Sequence, residues 1–261
     1  MSIALSNFTA DFSLGSNAPP PTRIPQITSV HEWWRAGDRQ ILVETDKLSL
    51  IKGRIDDTKQ ATSGTSGERP AYSATGLSGK PAIIFDGVND HLSFPLTGGS
   101  FFASDFSIVL IFKPTALPAS QGYVLSTYGG ANVGTLVYLT SSGNLRFMHG
   151  NASLFGKIEL NKPNIAILSL GDKFIRGRIN GIDMLSTLGN GHVTARSNLA
   201  HGATTLVMGS FTNVGPTFIA GAFAFSDFIP FTRDIVADLR TSVEIERMSR
   251  RIYGVELPAY L

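Results

Sequence analysis

The stretch from Phe106 to Lys113, Phe-Ser-Ile-Val-Leu-Ile-Phe-Lys, decides the fold. It is almost entirely apolar, whereas a strand with one face in water alternates apolar and polar residues. A short apolar run of this kind is typical of a central strand that is covered on both faces. We therefore expect Phe106–Lys113 to lie in the middle of a sheet.

Strand-like segments recur on both sides of this run, roughly 10–20 residues apart, with turn residues between them. Asn180-Gly181 separates two of them, and Asn-Gly is the strongest short hairpin signal because a type I′ turn needs positive φ at both positions. No helical pattern interrupts the series, so the sequence predicts an all-β, two-sheet sandwich. The predicted strands are 81–85, 106–113, 123–127, 135–140, 145–148, 164–170, 173–179, 182–185, 204–208 and 218–225.

Residues Thr232–Tyr253 are the exception, because their pattern predicts one helix near the C-terminus. Thr232 can cap its first turn, where Asp234 would interact favourably with the helix dipole. Gly254 follows as a typical helix end. The face that we expect to pack on the sandwich is formed by Ile235, Leu239, Val243, Met248 and Ile252.

The composition excludes several classes of protein. Of the 261 residues, 43% are hydrophobic and 16% charged, which argues against a disordered chain. The absence of cysteine excludes disulfides and thiolate metal sites. The formal net charge is only +2, and the one basic cluster resembles a solvated helix face, so we expect no nucleic-acid binding. No apolar run reaches the ~18 residues of a membrane span, so we expect no membrane insertion. The basic cluster is Arg247, Arg250 and Arg251.

The chain divides into an extended arm, residues 1–25, and one sandwich domain, residues 26–261. The first residues lack the basic and apolar segments of a signal peptide. The arm contains isolated apolar side chains at Phe8, Phe12 and Leu14, followed by the stiff Pro19–Pro21 run. These apolar residues favour an attachment arm, and the alternative is a disordered tail.

Three sequence blocks resemble the opening of laminin-G-like, concanavalin A-like lectin domains: Arg69–Tyr72, Gly76–Ala82 and Phe85–Leu92. The similarity extends over about Trp33–Gly254. One departure is the segment Leu50–Arg54, which stands where the family usually has Trp-x-Asp. Further matches are an earlier Trp, an Asn-Gly hairpin, a late strand and a closing Tyr-Gly, at Trp33 or Trp34, Asn180-Gly181, Phe218–Phe225 and Tyr253-Gly254.

The resemblance implies a two-sheet jelly roll of a kind that often binds carbohydrate and is common in bacteriophage tail and virion proteins. It implies a non-enzymatic tail, fibre or decoration protein, made in the cytoplasm of a bacterial host and carried on the virion. Its partners would be a host-surface glycan and, through residues 1–25, other virion proteins. Family analogy suggests a homotrimer first and a dimer second. The alternatives are a structural connector without glycan binding and a carbohydrate-active enzyme.

Catalytic motifs are absent from the sequence. Glycoside hydrolases of this fold use two carboxylates across a groove, yet the only Glu between Arg69 and Val243 is Glu159. No zinc-binding His motif and no nucleophile elbow occurs. We therefore predict no catalytic residue, no metal and no cofactor. Asp86, Asn89 and Asp90 could contribute to a calcium site, but they are too few for a full oxygen set, which favours an ordinary turn.

Sugar binding needs an aromatic platform beside amide or hydroxyl groups. Two groupings meet this requirement, and a role in the core is the alternative for each aromatic. They are Tyr128 with Asn132, and Tyr138 with His149 and Asn151.

The adjacent pair Trp33-Trp34 would lie in an extended segment. Successive side chains of such a segment point to opposite sides. We expect one Trp in the core and the other as a surface anchor.

Overall fold

The computed structural model describes residues 29–37, 41–96, 105–127, 135–149, 152–171, 174–186, 206–210 and 220–257. The predicted arm, residues 1–25, lies outside them. Every pairing between the strands in this part of the chain is antiparallel. The strands are β1 (Trp34–Arg35), β2 (Ile41–Glu44), β3 (Lys47–Lys52), β4 (Gln60–Thr62), β5 (Ala71–Leu77), β6 (Lys80–Asp86), β7 (Leu92–Phe94), β8 (Phe106–Pro114), β9 (Gln121–Ser126), β10 (Thr135–Thr140), β11 (Asn144–His149), β12 (Ala152–Lys157), β13 (Asn164–Gly171), β14 (Phe174–Ile179), β15 (Ile182–Asp183), β16 (Leu185–Ser186), β17 (Leu206–Met208) and β18 (Ala222–Phe231).

The strands form two packed layers, which confirms the predicted all-β sandwich with one C-terminal helix. The back sheet runs β5, β6, β18, β8, β13, β14, β15, and β1 pairs with β18 beside β6. The front sheet runs β2, β3, β4, β7, β17, β9, β10, β11, β12, β16. The layers join where β3 contacts β5 and where the chain passes from β15 to β16.

The central strands of the back sheet are buried on both faces, as the Phe106–Lys113 run predicts. In β8, Phe106, Ile108, Leu110 and Phe112 point into the core between the sheets. The alternate residues Val109 and Ile111 belong to a second cluster on the outer side of the back sheet. This second cluster needs a cover, and the helix α1 (Leu239–Tyr253) supplies it with Ile245 and Tyr253.

The two tryptophans lie on opposite sides of the back sheet, but neither is a surface anchor, so that expectation is wrong. Trp34 is fully buried in the core between the sheets. Trp33 is only 4% exposed, because it belongs to the cluster under the helix. Its Nε1 donates to Asp227, 2.9 Å away, and the guanidinium of Arg54 lies 4.0 Å from its ring centroid.

The helix begins later than the sequence predicts, at Leu239 with Asp238 as its N-cap. The amide of Ile235 donates to the hydroxyl of Ser107, and that of Val236 donates to Ser169. Both serines lie on the outer side of the central strands, so these amides are satisfied without a helical turn. The predicted end is confirmed, because Gly254 has φ 71° and its amide donates to Arg250.

The predicted packing face is confirmed for Ile235, Met248 and Ile252, which are buried or pack against the second cluster, but it is wrong for Leu239. Leu239 is 60% exposed, whereas Ile245 is 3% exposed and packs on the back sheet. Glu246 is fully buried and accepts from Arg178 of β14 at 3.0 Å. Burial raises the pKa of Glu246, and Arg178 opposes the shift.

The predicted Asn-Gly hairpin is confirmed between β14 and β15, with φ 50° at Asn180 and 82° at Gly181. Arg178 donates to the carbonyl of Gly181 at 2.8 Å, so the buried ion pair ties the hairpin to the helix. Among the described residues, none belongs to a helix long and apolar enough to cross a membrane.

Because Ile245 is buried and Leu239 is exposed, shortening the two side chains to Ala should have unequal effects on stability. Ile245→Ala should lower the free energy of unfolding by roughly 2–5 kcal/mol, because it leaves a cavity against the back sheet. Leu239→Ala, the matched control on the same helix, should change it by less than ~0.5 kcal/mol. Chemical denaturation measures both. Equal losses would mean that Leu239 is also part of the packed face.

Candidate functional site

The predicted site residues do not come together as the sequence suggested. Tyr128, Asn132 and Asn151 lie outside the described residues. Tyr138 and His149 are described, but they lie on opposite faces of the front sheet, because Tyr138 pairs with Arg146 and His149 with Thr135.

His149 points toward the interior of the sandwich and is 1% exposed. Its Nδ1 lies 3.2 Å from the hydroxyl of Thr135, which points the same way. The predicted grouping of Tyr138 with His149 is therefore wrong. The spacing of three residues between Arg146 and His149 explains this, since alternate residues share a face and odd spacings do not.

The Asp86–Asp90 segment holds a turn through its own carboxylates. The Oδ1 of Asp86 accepts from the amide of Val88 at 2.8 Å. The Oδ2 of Asp90 accepts from the amide of Asp86 at 3.0 Å. Asp90 is 1% exposed and faces Lys47 at 3.8 Å, and burial raises its pKa. In the described part of the chain, no group of three or more His, Asp or Glu residues could hold a metal.

The outer face of the front sheet, which points away from the core, carries a different grouping. The strand registers place Tyr123, Tyr138, Arg146 and Phe155 side by side across β9, β10, β11 and β12. We call these four residues the aromatic row. Adjacent strands are ~4.8 Å apart, so the row spans about 14 Å, long enough for a short oligosaccharide.

Tyr138 is the structural centre of the row. Its ring centroid lies 5.7 Å from that of Tyr123 and 5.9 Å from the guanidinium carbon of Arg146. Its hydroxyl donates to the sulfur of Met148 at 3.2 Å. Because Tyr138 is only 2% exposed, it supports its neighbours and offers little surface to a ligand. Burial raises the pKa of its phenol, although Arg146 opposes the shift.

The other three members of the row are partly exposed. Arg146 is held in place by Ser153, whose hydroxyl accepts from its Nε at 3.2 Å and from a terminal nitrogen at 3.1 Å. The row therefore combines exposed edges of Tyr123 and Phe155 with a fixed guanidinium. Aromatic surface beside hydrogen-bond donors is the arrangement that sugar binding needs, and here residues other than the predicted ones form it.

A groove of about 560 Å³ continues the row beyond Phe155. It lies between β11, β12 and the β14–β15 hairpin, and most of its surface is apolar. Polar groups at its rim include Asn144 and Lys157, which pair with each other across β11 and β12. The row and the groove together form a continuous surface of the size of a small ligand site.

Sequence reasoning missed Tyr123, Arg146, Phe155 and Lys157. The sequence predicts no strand over 152–157, so the alternation that places Phe155 and Lys157 on one face was not recognised. The pairing of Arg146 with Phe155 could not be predicted, because it depends on the register of β11 and β12.

Comparison with known proteins gives structural neighbours only. No protein-family model matches the chain, and no curated protein is significantly similar in sequence. A Trypanosoma rangeli sialidase in complex with a difluorinated nononic acid superimposes with a TM-score of 0.64 at 14% identity, over 96% of this chain and 38% of the sialidase.

Two toxin structures are also similar. The botulinum neurotoxin serotype D binding domain matches with a TM-score of 0.56 at 12% identity, covering 85% of this chain and 53% of that domain. The receptor-binding domain of the mosaic serotype C/D toxin gives 0.57 at 12% identity, over 85% and 52%. This chain thus spans about half of the toxin domains and little more than a third of the sialidase, and the likeness shows a shared fold.

The burial of Tyr138 predicts that its ring, not its hydroxyl, supports the row. Tyr138→Phe should change the free energy of unfolding by no more than ~1 kcal/mol, since it removes one weak hydrogen bond. Tyr138→Ala should cost roughly 3–5 kcal/mol, since it removes a buried ring. Thermal or chemical unfolding of the two variants measures the difference, and a Phe variant as unstable as the Ala variant would contradict this assignment.

Proposed function

We propose that the chain is a non-enzymatic, carbohydrate-binding sandwich of a bacteriophage or prophage particle, a tail, fibre or decoration protein that binds a glycan of the host surface. The observation that carries the binding role is the aromatic row with its groove. A sugar ring can stack on Phe155 or Tyr123 while its hydroxyl groups accept from Arg146.

The proposal of a non-enzymatic role is supported by the charges on this face. No Asp or Glu occurs between Phe106 and Ile158, a range that contains β9, β10, β11 and β12. The two carboxylates that most glycoside hydrolases place on either side of the scissile bond are therefore absent from the four strands of the row.

The virion role is supported by the sequence blocks that resemble phage lectin-like domains, Phe85–Leu92 above all. In this role, residues 1–25 attach the chain to other virion proteins, and the protein is a homotrimer synthesised in the host cytoplasm. A structural connector without glycan binding is the second candidate. It is favoured by the burial of Tyr138 and His149, the two described residues that the sequence had suggested as glycan contacts.

Glycan binding is tested by applying the full chain to an array of neutral and acidic polysaccharides. We expect binding that Phe155→Ala weakens about tenfold or more, the effect of losing ~1.5 kcal/mol of ring contact. Phe174→Ala, on β14 of the back sheet, is the matched control and should bind as the wild type does. A wild-type protein that binds no glycan would favour the structural connector.

The attachment role of the arm is tested by removing residues 1–25. The truncated chain should remain folded, since the described members of the two hydrophobic clusters run from Val30 to Leu257 and pack against one another. It should also become monomeric in light scattering, whereas the full chain is oligomeric. If both forms have the same oligomeric state, the contacts between protomers come from the sandwich and not from the arm.

A further inference from the structure

Two positive charges, Arg146 in the aromatic row and Lys157 in the adjoining groove, have no carboxylate partner among the described residues. The hydrogen bonds of Arg146 go to the hydroxyl of Ser153, and that of Lys157 goes to the carbonyl of Ser142 at 3.3 Å. Within the described residues, no carboxylate lies within 4.0 Å of either cation.

The other cations near the groove differ in this respect. Lys162 contacts Glu159 and Glu256, both at 2.8 Å. Arg178 pairs with Glu246 at 3.0 Å and lies 3.6 Å from Asp183. The carboxylates that line the groove, Glu159, Asp183 and Glu256, thus each have one of these two cations within 4.0 Å, and none of them contacts Arg146 or Lys157.

The strand register places the two cations on the same face. Arg146 is opposite Phe155, and Lys157 follows Phe155 by two residues on β12, opposite Asn144. Residues two apart on a strand point to the same side, so the Phe155 ring is flanked by Arg146 and Lys157. A sugar stacked on that ring would present its substituents to both positive groups.

We propose that this face selects acidic glycans, with Arg146 as the fixed contact for the anionic group and Lys157 as a second, exposed contact. The inference rests on the proposed function and names its ligand class. The guanidinium fork suits the two oxygens of a sugar carboxylate, and a sulfate ester would offer similar oxygens. The absence of Asp and Glu from Phe106 to Ile158 means that these strands carry nothing to repel such a ligand.

The test uses an array on which each acidic glycan is printed beside a neutralised form. Uronic and sialic acid polymers are paired with their methyl esters, and sulfated polymers with desulfated ones. We expect the full chain to bind carboxylated glycans and to lose on the order of tenfold in affinity or more when the acid is esterified. Binding confined to sulfated polymers would support the acidic-ligand inference and identify the anionic group as a sulfate ester.

Two variants test which residues contact the anionic group of the glycan. Lys157→Met should weaken binding to the acidic form and leave binding to any neutral form unchanged, and it should fold normally because Lys157 is exposed. Arg146→Met should have the larger effect, with its folding checked by thermal unfolding. Arg240→Met is the control for net charge, since Arg240 is 80% exposed on the helix.

The outcomes separate this inference from the proposed function. Equal binding to esterified and acidic forms, or wild-type affinity in both Arg146→Met and Lys157→Met, would overturn the acidic-ligand inference and leave glycan binding intact. An array on which nothing is bound would overturn both.

Discussion

The two-sided burial of the central back-sheet strands is the constraint on which the rest of the structure depends. Because β8 and β13 are apolar on both faces, the back sheet needs the front sheet on one side and α1 on the other. The hydroxyls of Ser107 and Ser169 lie 2.6 Å apart on the helix side. They accept the amides of Ile235 and Val236, which fixes where the chain turns toward the helix. The front sheet covers only the inner side of the back sheet, and its own outer face carries the aromatic row.

Much of this fold can be predicted from local sequence. The apolar run of β8 and the Asn180-Gly181 turn need only composition and turn chemistry, and both are as expected. The start of the helix could not be predicted, because Thr232 is a good cap in isolation, and only the sandwich reveals that its amide bonds to the carbonyl of Ser29. Likewise, β4 is not among the predicted strands, because its segment is polar and the strand is set by pairing with β3 and β7.

The candidate site was less predictable, for a physical reason. A binding face on a sheet is assembled from residues that are distant in sequence, and its composition depends on the register between strands. Tyr138 was identified from its residue type, but its neighbours on the face are Tyr123 and Arg146, not His149. The charge of the face was predictable from the sequence, because no Asp or Glu occurs from Phe106 to Ile158.

The central claim is that the outer face of the front sheet binds a glycan through the aromatic row. The most direct measurement is an NMR titration of the labelled full chain with an acidic oligosaccharide, which follows the backbone amides and the Nε–H of Arg146. We expect the largest shifts at Arg146 and Phe155 and along β9, β11 and β12, with the helix and the back sheet unchanged. Shifts confined to the helix or to the back sheet would contradict the claim.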